Sequence, residues 1–362
     1  MTLSIQPIEN VAGCKELWQR LARDCPDAWF WHTWANLQFN LIAAEKSEPR
    51  NLSFFVMRDA QPVGLAPLLV NRIQVADQAA YDASCYGGPL PWPAFIAGLP
   101  EAEAAEEFAL RELEKWARAA GAERIRLRLE APSPAGDDPQ RLERAVRLNY
   151  LDSSYDSHWI RLGEHTLAGV RERYRRYVKK FGPAYEMSVA ECEAVTPALE
   201  EFYFQLHVKD AGGQFRSRES YRLQADLARC GEAFFVIARK RASNEIAGML
   251  LVSAYKKAAY DNSVAVDPEA QDEYVSHLLK WKAIEELLHR GFESYELGPK
   301  SGWPGFMSLP SEKNRGISHF KEGWDRGNTR RVMVAEKFFT ARLLQAHMRL
   351  QTDSLEKYFG LK

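Results

Sequence analysis

Three side chains in this sequence pair a useful charge with an apolar or aromatic setting. Lys321 lies in the run Gly316-Ile-Ser-His-Phe-Lys-Glu-Gly-Trp324. Its cation can steady negative charge developing on a reacting oxygen, or it can be a surface lysine beside a Trp324 anchor. His319, two residues earlier, carries an imidazole, a side chain that can act as acid or base; capping a helix or filling a core are its other uses. Asp261 follows Tyr260 in an apolar stretch and can accept a proton or orient an amine. Asp82 stands in the same place of an earlier, similar stretch, so a structural role for that aspartate is equally open. There is no HExxH, no GxGxxG and no spaced nucleophile and base, so neither a metal nor a covalent mechanism has support in the sequence.

A second group of residues suits anions. In VRERYRRYVKKF, Val170, Tyr174, Tyr177, Val178 and Phe181 recur at helical spacing and form one buried stripe. Arg171, Arg173, Arg175, Arg176, Lys179 and Lys180 line the rest against Glu172 alone. Like charges four residues apart on a helix repel by a few tenths of ~1 kcal/mol per pair. An anion offsets that repulsion, either a phosphate-bearing ligand held by Arg175, Arg176 and Lys179 or acidic neighbours in the fold. Tyr86-Gly87-Gly88-Pro89 reads as a loop whose glycines let the backbone approach a ligand, or as a plain turn before Pro91-Trp92-Pro93. Trp303 lies in a long loop after Gly298, and loops of that length more often carry function than not. With Tyr260, these complete the candidate substrate contacts.

The elements that must position these residues occur twice. Phe54-Phe55-Val56 answers Phe234-Phe235-Val236, Tyr81-Asp82-Ala83-Ser84 answers Tyr260-Asp261-Asn262-Ser263, and Gly121-Ala-Glu answers Gly291-Phe-Glu, with an offset that drifts only by a loop's length. Each copy runs apolar strand, polar turn, apolar strand, third strand, amphipathic helix, glycine, short strand. That order predicts two α+β domains with largely antiparallel sheets and a crossover helix, the first over residues 1–163 and the second over 164–362. Ser157 to Leu162 reads as a strand completing the first sheet. Helices are expected near 14–44, 195–208 and 217–230, then a strand at 331–334 and a closing helix at 338–350. The aromatic group Trp29, Phe30, Trp31 and Trp34 reads as core.

A chain of 362 residues that is 46% apolar can hold two cores. No run approaches the ~20 apolar residues of a membrane span, and the N-terminus lacks the pattern of an export signal. Five scattered cysteines argue for a reducing cytoplasm over a disulfide framework. A net charge of −1 excludes coating nucleic acid with the whole surface but leaves a local basic site open.

The doubled unit, the segment Ser276 to Gly298 (SHLLKWKAIEELLHRGFESYELG), the YGGP at Tyr86 to Pro89 and the ending Gly316 to Trp324 together resemble the FemAB-like branch of the GNAT acyltransferase superfamily, and also the related CelD-type polysaccharide acyltransferases. The resemblance covers nearly the whole chain. It implies two GNAT-like domains side by side, an acceptor bound at the cleft between them, and amide formation with no resident cofactor. Fem transferases move an amino acid from aminoacyl-tRNA onto an amine of a cell-wall precursor. Their FK motif matches Phe320-Lys321, which implies that Lys321 assists the reacting ester or its phosphate. The long coiled-coil arm of some Fem proteins has no counterpart, so the compact FemX form is the better likeness.

The sequence departs from the superfamily at the acyl donor's place. Ordinary GNAT enzymes hold the coenzyme A pyrophosphate on a glycine-rich R/QxxGxG/A loop at a helix N-terminus. Here that place reads Asp267-Pro-Glu-Ala-Gln-Asp-Glu-Tyr, with no glycine and four acids, and the first copy's Pro100 to Glu107 is similar. Carboxylates there repel a pyrophosphate, so coenzyme A is not expected in its usual pose. The co-substrate is expected to be aminoacyl-tRNA or acyl-coenzyme A, and the acceptor a phosphate-bearing amine of an envelope or polysaccharide precursor. The alternative is a non-catalytic module that binds tRNA or a nucleotide sugar.

Overall fold

In the computed structural model, which describes residues 2–75, 78–85, 88–129, 139–300 and 312–361, the apolar runs of each half pair as antiparallel hairpins. The first half supplies β1 (Leu3–Pro7), α1 (Cys14–Asp24), α2 (Trp34–Ala43), β2 (Arg50–Asn51), β3 (Phe54–Arg58), β4 (Gln61–Ala66), β5 (Leu69–Val75), β6 (Gln78–Ala83), β7 (Leu90–Pro91), β8 (Ala94–Phe95), α3 (Ala102–Ala119), β9 (Arg124–Arg128), α4 (Pro139–Arg147), β10 (Leu151–Asp152) and β11 (Tyr155–Arg161). The remainder supplies α5 (Thr166–Gly169), α6 (Glu172–Phe181), β12 (Tyr185–Ala190), α7 (Pro197–Ala211), α8 (Arg218–Arg229), β13 (Ala233–Lys240), β14 (Ile246–Tyr255), β15 (Ala258–Val266), α9 (Val275–His289), β16 (Ser294–Pro299), α10 (Glu312–Asp325), β17 (Thr329–Val332), β18 (Val334–Phe338) and α11 (Ala341–Phe359).

The chain is an α+β protein of two tandem GNAT-like units. One sheet runs β12-β13-β14-β15-β16-β11-β17, antiparallel throughout except for the parallel pair β15 with β16. The first unit follows the same path but breaks after Ala66, where Pro67 withholds a backbone N–H. Thus β1-β3-β4-β8 forms one sheet and β10-β18-β9-β6-β5-β2 another. Tyr81 on β6 and Tyr260 on β15 occupy the same place: each strand lies antiparallel to its predecessor and parallel to the strand after the crossover helix. The duplication read from sequence is present in the topology.

The expectation that residues 157–162 complete the first sheet is corrected. β11 lies instead between β16 and β17 of the second sheet, and the place beside β9 is taken by β18, from near the C-terminus. The two halves therefore trade strands at β10–β11 and at β17–β18. The reason is burial: Ser157, His158, Trp159 and Ile160 are all withdrawn from water, and only an interior position covers a strand on every side. A division near residue 163 remains a proposal, with this exchange running across it.

Both faces of the second sheet carry a core. α9 and α6 cover one, with Leu278, Leu279, Ala283 and Ile284 against Phe234, Val236 and Leu250. α7 and α8 cover the other, and Trp29 and Phe30 of the first half complete it. The early aromatic group is thus core, as expected, but its leading members fill the other half's core. The segment read as one helix over 14–44 is α1 and α2 with a turn between them, and the closing helix runs on to Phe359. Among the described residues, no helix is long and apolar enough to cross a membrane.

Candidate active site

The parallel ladder between β15 and β16 covers only Ala258 to Tyr260 against Ser294 to Glu296. Beyond it β15 stays with β14 while β16 follows β11, so the two strands part. A bulge falls at the same point, with Leu251 opposite Ser263 but Val252 opposite Asp261. Bulges re-aim side chains, and Asp261 points into the gap. α9 lies beneath it and α10 over it. The space holds a cavity of about 500 Å3 lined by Leu250, Val264, Ile317 and Phe320 with Asp261, Lys280 and Lys321. Val264 and Ile317, 45% and 43% exposed, mark the mouth; Lys280, 4% exposed, marks the floor.

The floor carries two amines and one carboxylate. Lys280 Nζ stands 2.5 Å from Asp261 Oδ1 and donates to Tyr295 Oη at 3.1 Å, while that hydroxyl donates to Asp261 at 3.0 Å. Burial pushes the Tyr295 phenol well above its usual range, with the Asp261 charge adding to the effect, so it stays a donor. Burial lowers the Lys280 pKa, and Asp261 partly opposes that. Lys321 is also lowered: burial acts first, the Asp261 charge opposes, the Lys280 cation lowers it further, and Glu296 opposes. Gly298, at φ +97°, leaves room for this amine, since a Cβ there would stand 3.0 Å from Lys321 Nζ.

The first unit shows what the second has changed. Asp82, the counterpart of Asp261, is gripped at both oxygens by Arg124 of β9, at 2.9 and 3.1 Å. Leu110 of α3, wholly buried, stands where α9 carries Lys280. One copy seals its aspartate; the other leaves it facing a cavity.

The seam lies directly behind. Arg128 of β9 reaches across to Glu296 of β16 at 2.7 Å, both fully withdrawn from water, and Ser157 donates to the other Glu296 oxygen at 2.9 Å. The Arg128 guanidinium lies 4.3 Å from the Trp31 ring centre, and Tyr260 sets its edge against Trp29 and Trp31. Tyr260 is therefore a half-buried wall of the seam.

A buried relay holds α10. His158 Nδ1–H donates to Asp325 at 2.5 Å, and Ser318 donates to His158 Nε2 at 2.7 Å. The order is that of a hydrolytic triad, but Ser318 is 3% exposed and lines no described cavity. Its use is to fix α10, and with it Lys321 one turn beyond Ser318. His158→Ala leaves a buried carboxylate and hydroxyl without this partner and opens a void; we expect a loss of about 3–5 kcal/mol, read from urea midpoints.

The sequence-derived residues divide accordingly. Lys321 and Asp261 share the cavity with Lys280, and Tyr295 holds Asp261 and Lys280 from behind it; sequence reasoning missed both Lys280 and Tyr295. His319 is 72% exposed and faces Arg171 and Glu322, away from the cavity. Arg175, Arg176 and Lys179 are exposed on α6, where Arg176 lies 3.8 Å from Glu172, and none of the three lines the cavity. Gly88 pairs with Cys85 in an isolated bridge. Tyr86, Gly87 and Trp303 lie outside the described residues. The acidic stretch before α9 forms a short turn, Pro268–Glu273, in which Lys209 pairs with Asp267 and Glu269. No glycine-lined phosphate cradle is built there.

Residues 168–321, a stretch that ends on Lys321, match the family model described as an acetyltransferase (GNAT) domain. Among solved structures the chain is similar to FemX, with a TM-score of 0.65 at 12% identity over 95% of this chain and 99% of that one. It is also similar to L-PGS from Bacillus licheniformis (TM-score 0.55, 13% identity, 89% and 96% covered). A tandem GNAT protein from the clavulanic acid biosynthesis pathway aligns at TM-score 0.52 and 13% identity over 94% and 99%. At such identities the likeness is one of fold. Among curated proteins no sequence match is found.

Proposed function

We propose, on the premise that this chain is a tandem protein of the GNAT fold, that it is an N-acyltransferase whose reaction takes place at the Asp261, Lys280 and Lys321 cavity. The observation that carries this reading is a partly desolvated lysine amine beside a held carboxylate, in the gap where parallel strands part. The neutral amine of the acceptor attacks the carbonyl carbon of an acyl ester or thioester. Negative charge develops on the carbonyl oxygen, and the Lys321 ammonium faces it. The bond to the leaving oxygen or sulfur then breaks, and the proton lost by the amine ends on that leaving group. Asp261, fixed by Lys280 and Tyr295, orients the attacking amine.

The acceptor we propose is a phosphate-bearing amine of an envelope or polysaccharide precursor. Its phosphates would be met by the exposed cations of α6. FemX and L-PGS support an envelope setting by their names alone. The donor is aminoacyl-tRNA or acyl-coenzyme A, and both place the reaction in the cytoplasm. The acids of the turn before α9 weigh against coenzyme A in its usual pose.

Purified protein should transfer a labelled acyl group to amine acceptors, with charged tRNA and acyl-coenzyme A compared side by side. Labelling that survives ribonuclease removes tRNA as donor. The exposed basic face of α6 also favours a second reading, a module that binds tRNA or a nucleotide sugar without chemistry. Binding with a steep salt dependence and no turnover from any donor would establish it instead.

A further inference from the structure

The cavity's walls say which acyl group it suits. Apart from the floor, its lining is Leu250, Val264, Gly316, Ile317 and Phe320, with Ser276 and Lys313 the polar members. Val264 and Ile317 belong to the few large apolar side chains that remain exposed, and both sit at this one opening. Exposed apolar residues gathered around a concavity mark a place for an apolar ligand. The volume of about 500 Å3 suits a chain of several carbons and is far more than an acetyl group needs.

The floor argues against an aminoacyl group. An aminoacyl ester carries an α-ammonium next to its carbonyl. At this floor that charge meets the Lys280 and Lys321 amines, two cations against the single carboxylate Asp261, whose Oδ1 already takes Lys280 and Tyr295 and whose other oxygen serves the acceptor amine. The next, Glu296, is held by Arg128 and Ser157. A cationic side chain fares no better, because the described walls offer it no further carboxylate. Like-charge contact in a site shielded from water is costly. A carbonyl or carboxylate oxygen at the same place is welcomed by two amines.

From this juxtaposition of an apolar channel and a cationic floor we infer that the cavity binds a linear aliphatic acyl chain, carbonyl inward and tail towards Val264 and Ile317. The inference rests on the acyl-transfer reading for its reaction and narrows it: the transferred group is a medium-length alkanoyl from an ester or thioester. The carbonyl carbon bonds to the acceptor nitrogen, its bond to the leaving oxygen or sulfur breaks, and the amine proton leaves with that group.

The test uses free alkanoates from butanoate to dodecanoate as probes of the 362-residue chain, with dissociation constants from calorimetry. Burying each added methylene is expected to tighten binding about four-fold, until the cavity is full and the series levels off. Ile317→Trp, at a position already 43% exposed and so compatible with folding, should move the levelling to shorter chains. Equal binding along the series, or a series unmoved by that variant, overturns the inference. The two proposals fail separately. Acyl transfer with no dependence on chain length leaves the transferase and removes the channel. Length-dependent binding without transfer to any acceptor keeps the channel and removes the transferase.

Discussion

Lys321→Met should lower kcat for acyl transfer by about 100- to 1,000-fold while leaving KM and the unfolding midpoint nearly unchanged. The size is that of removing one preorganised donor to a developing oxyanion. KM is spared because the charge this amine meets exists only as the carbonyl is attacked. Stability is spared because the lysine is held there at a cost: its pKa is depressed by burial and by Lys280. In the unfolded chain Lys321 binds a proton up to its ordinary value near 10.5. In the fold it releases that proton earlier, so its contribution to stability rises with pH between the depressed value and 10.5. Activity should move the other way in that window, falling as the ammonium is lost. Lys321→Arg, whose charge does not titrate, should lose this alkaline limb. A rate in the methionine variant within a few-fold of the parent would take Lys321 out of the reaction.

The lining of the candidate cavity was half legible in the sequence, and the missing half has a common cause. Lys321 and Asp261 stand out because each is charged in an aromatic or apolar run. Lys280 does not, since a lysine between Leu279 and Trp281 looks like any solvated position of an amphipathic helix; only its depth sets it apart. One signal was available: counting back from the glycines that end the two crossover helices places Leu110 opposite Lys280, an exchange of a core leucine for a charge. His319 misled for a geometric reason. On a helix, residues three and four apart share a face, so Ile317, Phe320 and Lys321 line the cavity together while His319 turns outward. The strand exchange was invisible because β11 and β18 fit either sheet by local pattern. Which sheet takes them is settled by partners more than a hundred residues away in the chain.

Acidification should unfold the protein well above the pH at which its carboxylates titrate. Burial lowers three histidines, His32, His207 and His277, from an ordinary value of 6.5 to about 4 each. Positive neighbours contribute: Lys256 and Arg141 at His32, Arg216 at His207 and Arg173 at His277. The structures agree with neutral rings. His32 accepts the Trp29 N–H at Nδ1 and donates from Nε2 to the Trp92 carbonyl, a pairing that a second ring proton would break. His277 sits edge-on to Tyr174 at 4.4 Å and to Phe320 at 5.0 Å, enclosed by aromatic rings. Above pH 6.5 both folded and unfolded chains hold these rings neutral, and the rings cost the fold nothing. As pH falls from 6.5 towards 4 the unfolded chain takes up protons that the fold refuses, so stability drops. Each ring contributes on the order of 3 kcal/mol. Together that is roughly 10 kcal/mol, comparable to the whole stability of an ordinary domain. Urea midpoints measured between pH 7 and 4 should therefore fall steeply, and His277→Phe should remove somewhat less than a third of the slope, since burial lowers His347 as well. A stability that stays level down to pH 4.5 would show that these rings reach water in the fold.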